Sequence, residues 1–275
     1  MKPFLTNCLR KCAAIALLLS PLAMQGQQAK IQNWRPYDQS GINVFESPKD
    51  SVTSFDGLKV RIGAGFTQQF QSLKHSNTAG SPALYPRLKS GFNLAQANLN
   101  IDVQLADGIA LNLVTYLSAR HHNEAWVKGG YIQIDNLDFI SQGFLGGLMK
   151  NARVKIGMDE LNYGDSHFRR TDNAKAINNA FVENNIMDSF TTQAFGEVYY
   201  YSNGFMGMVG LSNGKLNQTA VKGTNDNSPS IYAKLAYDKQ LSEDLRFRLS
   251  GSVIKTNGLN TNGKLFGDDR GGSRY

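Results

Sequence analysis

Ala95-Gln-Ala-Asn-Leu-Asn-Ile-Asp-Val-Gln-Leu105 alternates small or apolar residues with polar ones over its whole length. Successive strand side chains point to opposite sides of a sheet, so this pattern gives one greasy face and one wet face. Working outward, Leu58 to Phe70 repeats it, with Leu58, Val60, Ile62, Phe66 and Phe70 on one parity and Lys59, Arg61, Thr67 and Gln69 on the other. Ile109 to Leu117 does so less purely. Ala152 to Asp159, Ile231 to Asp238 and Leu245 to Val253 alternate as well. No later stretch is long and apolar enough for a membrane helix, so the chain reads as all-β.

Strands of about 9–13 residues exceed the usual five or six, and a tilted strand crossing a bilayer needs about 9–11. The fold class expected is a transmembrane antiparallel β-barrel of the bacterial outer membrane. The alternative is a sandwich or lectin-like module whose greasy face meets a second sheet. Nine strands are expected near 57–71, 91–105, 108–118, 124–135, 152–160, 193–201, 205–212, 230–238 and 245–256. Asp107-Gly108 and Asn203-Gly204 mark tight turns between them. Residues 136–151 break the alternation of long and short connections; they suggest a small inner helix, a packed plug or a missed hairpin. An odd strand count and a tail, 263–275, that does not alternate lead to a further expectation: the N-terminal part of a longer barrel. The alternative is a ten-stranded barrel with an irregular last strand.

The N-terminus has the marks of an export signal. Lys2, Arg10 and Lys11 precede the short apolar run Ala13 to Leu19, and Met24-Gln-Gly-Gln-Gln-Ala29 is small and polar. The expected organisation is a signal peptide over 1–29, a periplasmic lead-in over 30–56 and the barrel over 57–275. N-terminal sequencing of the exported protein should begin between residues 24 and 31; an intact Met1 would refute the signal. Both cysteines, Cys8 and Cys12, lie in that segment. Its removal leaves no thiol for a disulfide, a zinc site or an iron–sulfur cluster. It also takes away three basic residues, lowering the balance from 29 basic against 22 acidic to 26 against 22, and the basic residues are scattered. Nucleic acid is therefore not an expected partner.

Catalytic signatures are missing. The chain has no G-x-S-x-G, no H-E-x-x-H and no phosphate-binding glycine loop. His122-Asn-Glu124 is not a metalloprotease motif, and His167 has no second metal ligand at a useful spacing. His75, His121 and His122 fall in expected outer loops. No enzyme, metal or cofactor is expected.

The run Leu161 to Tyr200, LNYGDSHFRRTDNAKAINNAFVENNIMDSFTTQAFGEVYY, resembles outer-membrane porins of Bacteroidota-type bacteria, grouped with the phosphate-selective porin O and P superfamily. Gly204 to Asn213 and Asn33 to Phe45 add to that resemblance. It implies a full barrel longer than 275 residues, but no substrate site transfers residue by residue and no phosphate specificity comes with it.

On these grounds the expected function is passive diffusion of small hydrophilic solutes across the outer membrane. The alternative is a non-transporting barrel acting as adhesin or surface anchor. Expected partners are outer-membrane lipid, small solutes with anions favoured, and a second copy in a homo-oligomer. The candidate lumen and selectivity residues are Lys59, Arg61, Asp102, Arg153, Lys155, Asp159, Lys234, Arg246 and Arg248. Lys and Arg outnumber Asp among the polar-face charges, including Asp238, which predicts a positive wall. The plainer alternative is that these charges pair and only keep the wall hydrated. Residues 161–192 are a candidate constriction loop carrying His167, Arg169, Arg170, Asp172 and Lys175; the alternative is a cap over the mouth.

Overall fold

The alternating segments assemble into one antiparallel sheet. The structure, a computed structural model, describes residues 29–37, 39–50, 53–68, 70–72, 78, 90–92, 96–118, 124–169, 176–178, 192–212 and 229–255. The chain divides into two units, 1–30 and 31–275, and the sheet belongs to the second. The signal segment, apart from Ala29, lies outside the described residues, as do His75, His121, His122, Arg170, Asp172, Lys175 and the tail.

The strands are β1 (Lys59–Thr67), β2 (Phe70–Gln71), β3 (Gly91–Phe92), β4 (Gln96–Ala106), β5 (Ile109–Ser118), β6 (Glu124–Ile134), β7 (Ala152–Glu160), β8 (Thr192–Ser202), β9 (Phe205–Ser212), β10 (Ser230–Gln240) and β11 (Arg246–Lys255). Nine of them form a meander in the order β1-β4-β5-β6-β7-β8-β9-β10-β11, while β2 and β3 pair separately. The expected strands 57–71 and 91–105 are thus each divided, their outer ends making a small ladder of their own. Asn203 and Gly204 both have positive φ, the geometry of a two-residue turn whose twist suits the β8–β9 hairpin. Between β4 and β5, Gly108 takes a positive φ and the register shifts between Gln104 and Ala106.

This topology corrects the expected barrel. β1 pairs only with β4 and β11 only with β10, so among the described residues the sheet is open at both ends. Strand length and alternation constrain each strand and its neighbour, but closure depends on the pairing of the first and last strands, which a local pattern does not encode. An open sheet edge in hydrocarbon forfeits hydrogen bonds that no lipid replaces. The transmembrane barrel, the outer-membrane location and lipid as a partner all rested on closure and are set aside with it. The inferred continuation beyond Tyr275 rested on the same premise and loses its basis. No helix among the described residues is long and apolar enough to cross a membrane.

The two faces differ sharply. Val60, Ile62, Phe66, Ile156, Leu235 and Leu249 are each at least half exposed on one face. On the other, Asp102, Gln104, Gln133, Arg153 and Lys234 are buried almost completely. Two covering segments lie on this polar face: residues of the lead-in between 31 and 49, and residues 161–169. Tyr37, Glu46 and Lys49 from the first and Asn162 and Asp165 from the second bond to strand side chains or carbonyls there. A small apolar cluster of Leu161, Phe195, Tyr199, Met206, Met208 and Tyr232 sits under them. Residues 136–151 make turns and one short helix, α1 (Gly146–Met149). Phe139, Ile140, Phe144, Leu145 and Leu148 are exposed there, so the segment is no plug; Met149 alone of its large apolar side chains is buried.

Gly63 of β1 lets the covering segment dock. A Cβ at this position would stand 2.2 Å from the Tyr37 ring. Gly63→Val should displace that ring and cost about 1–3 kcal/mol of stability in a urea titration. Gly251→Ala, where a Cβ meets nothing within 4 Å, should stay within about 0.5 kcal/mol of the wild type. Equal losses at both positions would show that Tyr37 does not matter to docking.

Candidate functional site

Three charge networks stitch the covering segments to the sheet. At β1, β4 and β5, the Arg61 guanidinium donates to Asp102 at 2.8 Å and lies over the Tyr37 ring. The Tyr37 hydroxyl and the Asn112 amide complete the shell of Asp102, at 3.0 and 2.6 Å. Burial, then the Asp102 carboxylate, pushes the Tyr37 hydroxyl far above its ordinary pKa, so it remains a donor.

At β6 and β7, Arg153 donates to Asp135 at 2.8 Å and to the Ser47 carbonyl at 2.5 Å. Lys49 reaches the same carboxylate at 3.3 Å and donates to three carbonyls, of Asp135, Met149 and Ala152. Burial alone would raise the Asp135 pKa, but Arg153 and Lys49 overcome it and hold the carboxyl below its ordinary value.

At β10 and β11, Lys234 is within 2.7 Å of both Glu46 and Asp165 and also donates to Asn162 at 2.8 Å. Arg248 bridges the same two carboxylates and adds Asp238. Burial pushes Glu46 up; Lys234 and Arg248 outweigh it and bring the carboxyl down to about 2. Asp165 is likewise held far below its ordinary range.

Six of the candidate wall cations have carboxylate partners. Lys59 meets Asp56 at 2.6 Å and Arg246 meets Asp238 at 2.6 Å; Arg61, Arg153, Lys234 and Arg248 all have carboxylate partners in the three networks. Counting only the acids on the clearest strands misses Glu46, Asp135 and Asp165, which enter from the lead-in, a strand end and a loop. It also misses Glu197. The parity of β8, with Gln193, Glu197 and Tyr199 buried on one side, is the signal that could have revealed it. Of the constriction-loop residues, His167 and Arg169 lie among the covering segments. His167 Nε2 is 3.0 Å from Asn162 Oδ1, and Arg169 donates to Asn43 at 2.8 Å.

Lys155 differs from the other candidates. Its Nζ sits over the Tyr131 ring at 4.4 Å and the Tyr199 ring at 5.5 Å from the centroids. Among the described residues it has no carboxylate within 4.0 Å and no hydrogen-bond acceptor. Burial, with Arg153 nearby, lowers its pKa against the opposing pull of Glu197 and Asp159. Lys155 and Asp159 both line a cavity of about 200 Å³ between the sheet and the covering segments. Its walls also include Trp34, Tyr37, Tyr131 and Phe168, with the carboxamides of Asn98, Asn100 and Asn112. Trp34 stacks on Tyr131 with centroids 5.7 Å apart.

The chain matches no protein-family model and no curated protein. The resemblance to the porin superfamily is withdrawn on that finding. Passive diffusion, and the adhesin or anchor alternative, go with it: both required a closed barrel in a membrane, and among the described residues the sheet is open. The run Leu161 to Tyr200 that suggested the resemblance has a local explanation over its described parts. Asn162, Asp165 and Glu197 belong to the polar-face networks, and Leu161 to the apolar cluster beneath them.

Proposed function

We propose that this chain is a binding module that retains a compact polyhydroxylated ligand, such as a single sugar ring, in the cavity beside Lys155. Retention without turnover is the role proposed, and no catalytic constellation is invoked. What carries it is the meeting in one cavity of flat aromatic rings, a row of carboxamides, a carboxylate and a lysine amine that has no hydrogen-bond acceptor among the described residues. Aromatic rings suit the C–H faces of a pyranose. Carboxamides and carboxylates take its hydroxyls as donors and acceptors, and a few convergent polar groups on an apolar wall fix orientation. A cavity of about 200 Å³ matches a ligand the size of a single ring.

Trp34 reports on the site, and Trp126 is the only other tryptophan. In a Trp126→Phe background, titration with methyl α-glucoside should change the Trp34 emission in a saturable way. Tyr131→Ala should weaken that binding about tenfold or more. A folded protein that gives neither an emission change nor heat in calorimetry would overturn the proposal.

A further inference from the structure

Lys155 stands out because its neighbours have other commitments. Glu197 lies directly across from it in the β7–β8 register. Both Glu197 oxygens are already taken, by the Tyr199 hydroxyl at 2.5 Å, the Tyr232 hydroxyl at 2.8 Å and the Asn162 backbone N–H at 3.0 Å. On its other side the register partner is Gln133, whose amide donates to Asp135. Arg153, two residues back on the same face of β7, is a second cation, and its own pairing is with Asp135. Asp159, four residues on, lines the cavity, and no ion pair joins it to Lys155 among the described residues. Lys155 thus has rings on two sides, a like charge beside it and open cavity in front. A half-buried amine beside aromatic rings and next to another cation is an environment that makes a lysine nucleophilic.

We infer that Lys155 captures aldehyde-bearing ligands as an imine, the open-chain form of a hydroxyaldehyde or aldose being the class that fits the cavity. In that step the fraction of Lys155 that has given its third proton to water adds its Nζ lone pair to the carbonyl carbon, and the C=O π pair moves to oxygen. The oxygen then leaves as water with both Nζ protons, and a C=N bond remains. The step needs no oxidant or reductant. It deepens the polyol-binding proposal and rests on it for access to the cavity.

The test uses glycolaldehyde with sodium cyanoborohydride on the full chain at neutral pH, followed by peptide mass spectrometry. Early label on the Lys155 peptide should exceed that on the exposed Lys150 and Lys255 by about tenfold. Excess methyl α-glucoside, which cannot open to an aldehyde, should protect Lys155 and leave Lys150 unaffected. Lys155→Arg should abolish the selective label, because a guanidinium forms no imine with glycolaldehyde under these conditions. Uniform labelling of all three lysines would overturn the inference. If the glucoside still binds in that case, the polyol-binding proposal survives alone. Selective label without glucoside binding would sink that proposal and uphold the amine.

Discussion

Lys234→Met is expected to remove about 3–5 kcal/mol of folding stability, the range found when one member of a buried ion pair is deleted. Lys234 is 1% exposed and its ammonium is shared by Glu46, Asp165, Asn162 and the Gly164 carbonyl. Methionine fills nearly the same volume, so the loss is electrostatic and not a cavity. Glu46 and Asp165 would then keep the Asn162 amide and the Ser250 hydroxyl as neutral donors, with Arg248, which already serves Asp238, as the cation they share. Adding Glu46→Gln should recover part of the loss, because it removes one of the stranded charges; a coupling above about 1 kcal/mol is expected for groups in contact. Arg246→Met provides the contrast. Arg246 is 37% exposed in its pair with Asp238, and solvent screening limits such pairs to about 1 kcal/mol or less. Urea titrations of the wild type, the two single variants Lys234→Met and Glu46→Gln, their double variant and Arg246→Met decide the matter. Similar losses for Lys234→Met and Arg246→Met would mean that the polar face is wet and that its network does not hold the covering segment.

The strands are legible in the sequence because alternation is a local, two-residue signal. Gln104 and Asp102 face one way and Leu105 the other, as their order requires. Closure is not legible, since it depends on whether β1 finds a last strand. The role of the lead-in is hidden for a related reason. Tyr37, Lys49 and Glu46 have no periodicity, and their partners Asp102, Asp135 and Arg248 lie 65, 86 and 202 residues away. Weighing only the charges on strands therefore gives an excess of cations, whereas the missing anions come from elsewhere in the chain. Lys155 is legible as a polar-face lysine, but what sets it apart is the saturation of Glu197 by Tyr199, Tyr232 and Asn162. That arrangement depends on three segments and no motif records it.

Acid should release the covering segment. The carboxyl of Glu46 sits at about 2 in the folded protein against an ordinary value of 4.5, and Asp165 and Asp135 are also held below their ordinary 3.8. A carboxyl whose pKa is depressed on folding stabilises the fold above its unfolded value, and that stability is lost as pH falls through the folded one. The window therefore runs from about pH 4.5 down to about 2. Glu46, whose side chain is 5% exposed, contributes on the order of 3 kcal/mol across it. Because Glu46 and Asp165 share Lys234 and Arg248, the loss should be cooperative, with protonation of one weakening the hold on the other. Trp34 belongs to the same lead-in as Glu46 and Lys49 and so reports on its release. In the Trp126→Phe background its emission should shift in this window, before the sheet's far-ultraviolet dichroism is lost. Glu46→Gln should flatten the acid limb while lowering stability at neutral pH. An unchanged Trp34 signal down to about pH 2, or an acid limb of the same slope in Glu46→Gln, would show that these carboxylates do not fasten the segment to the polar face.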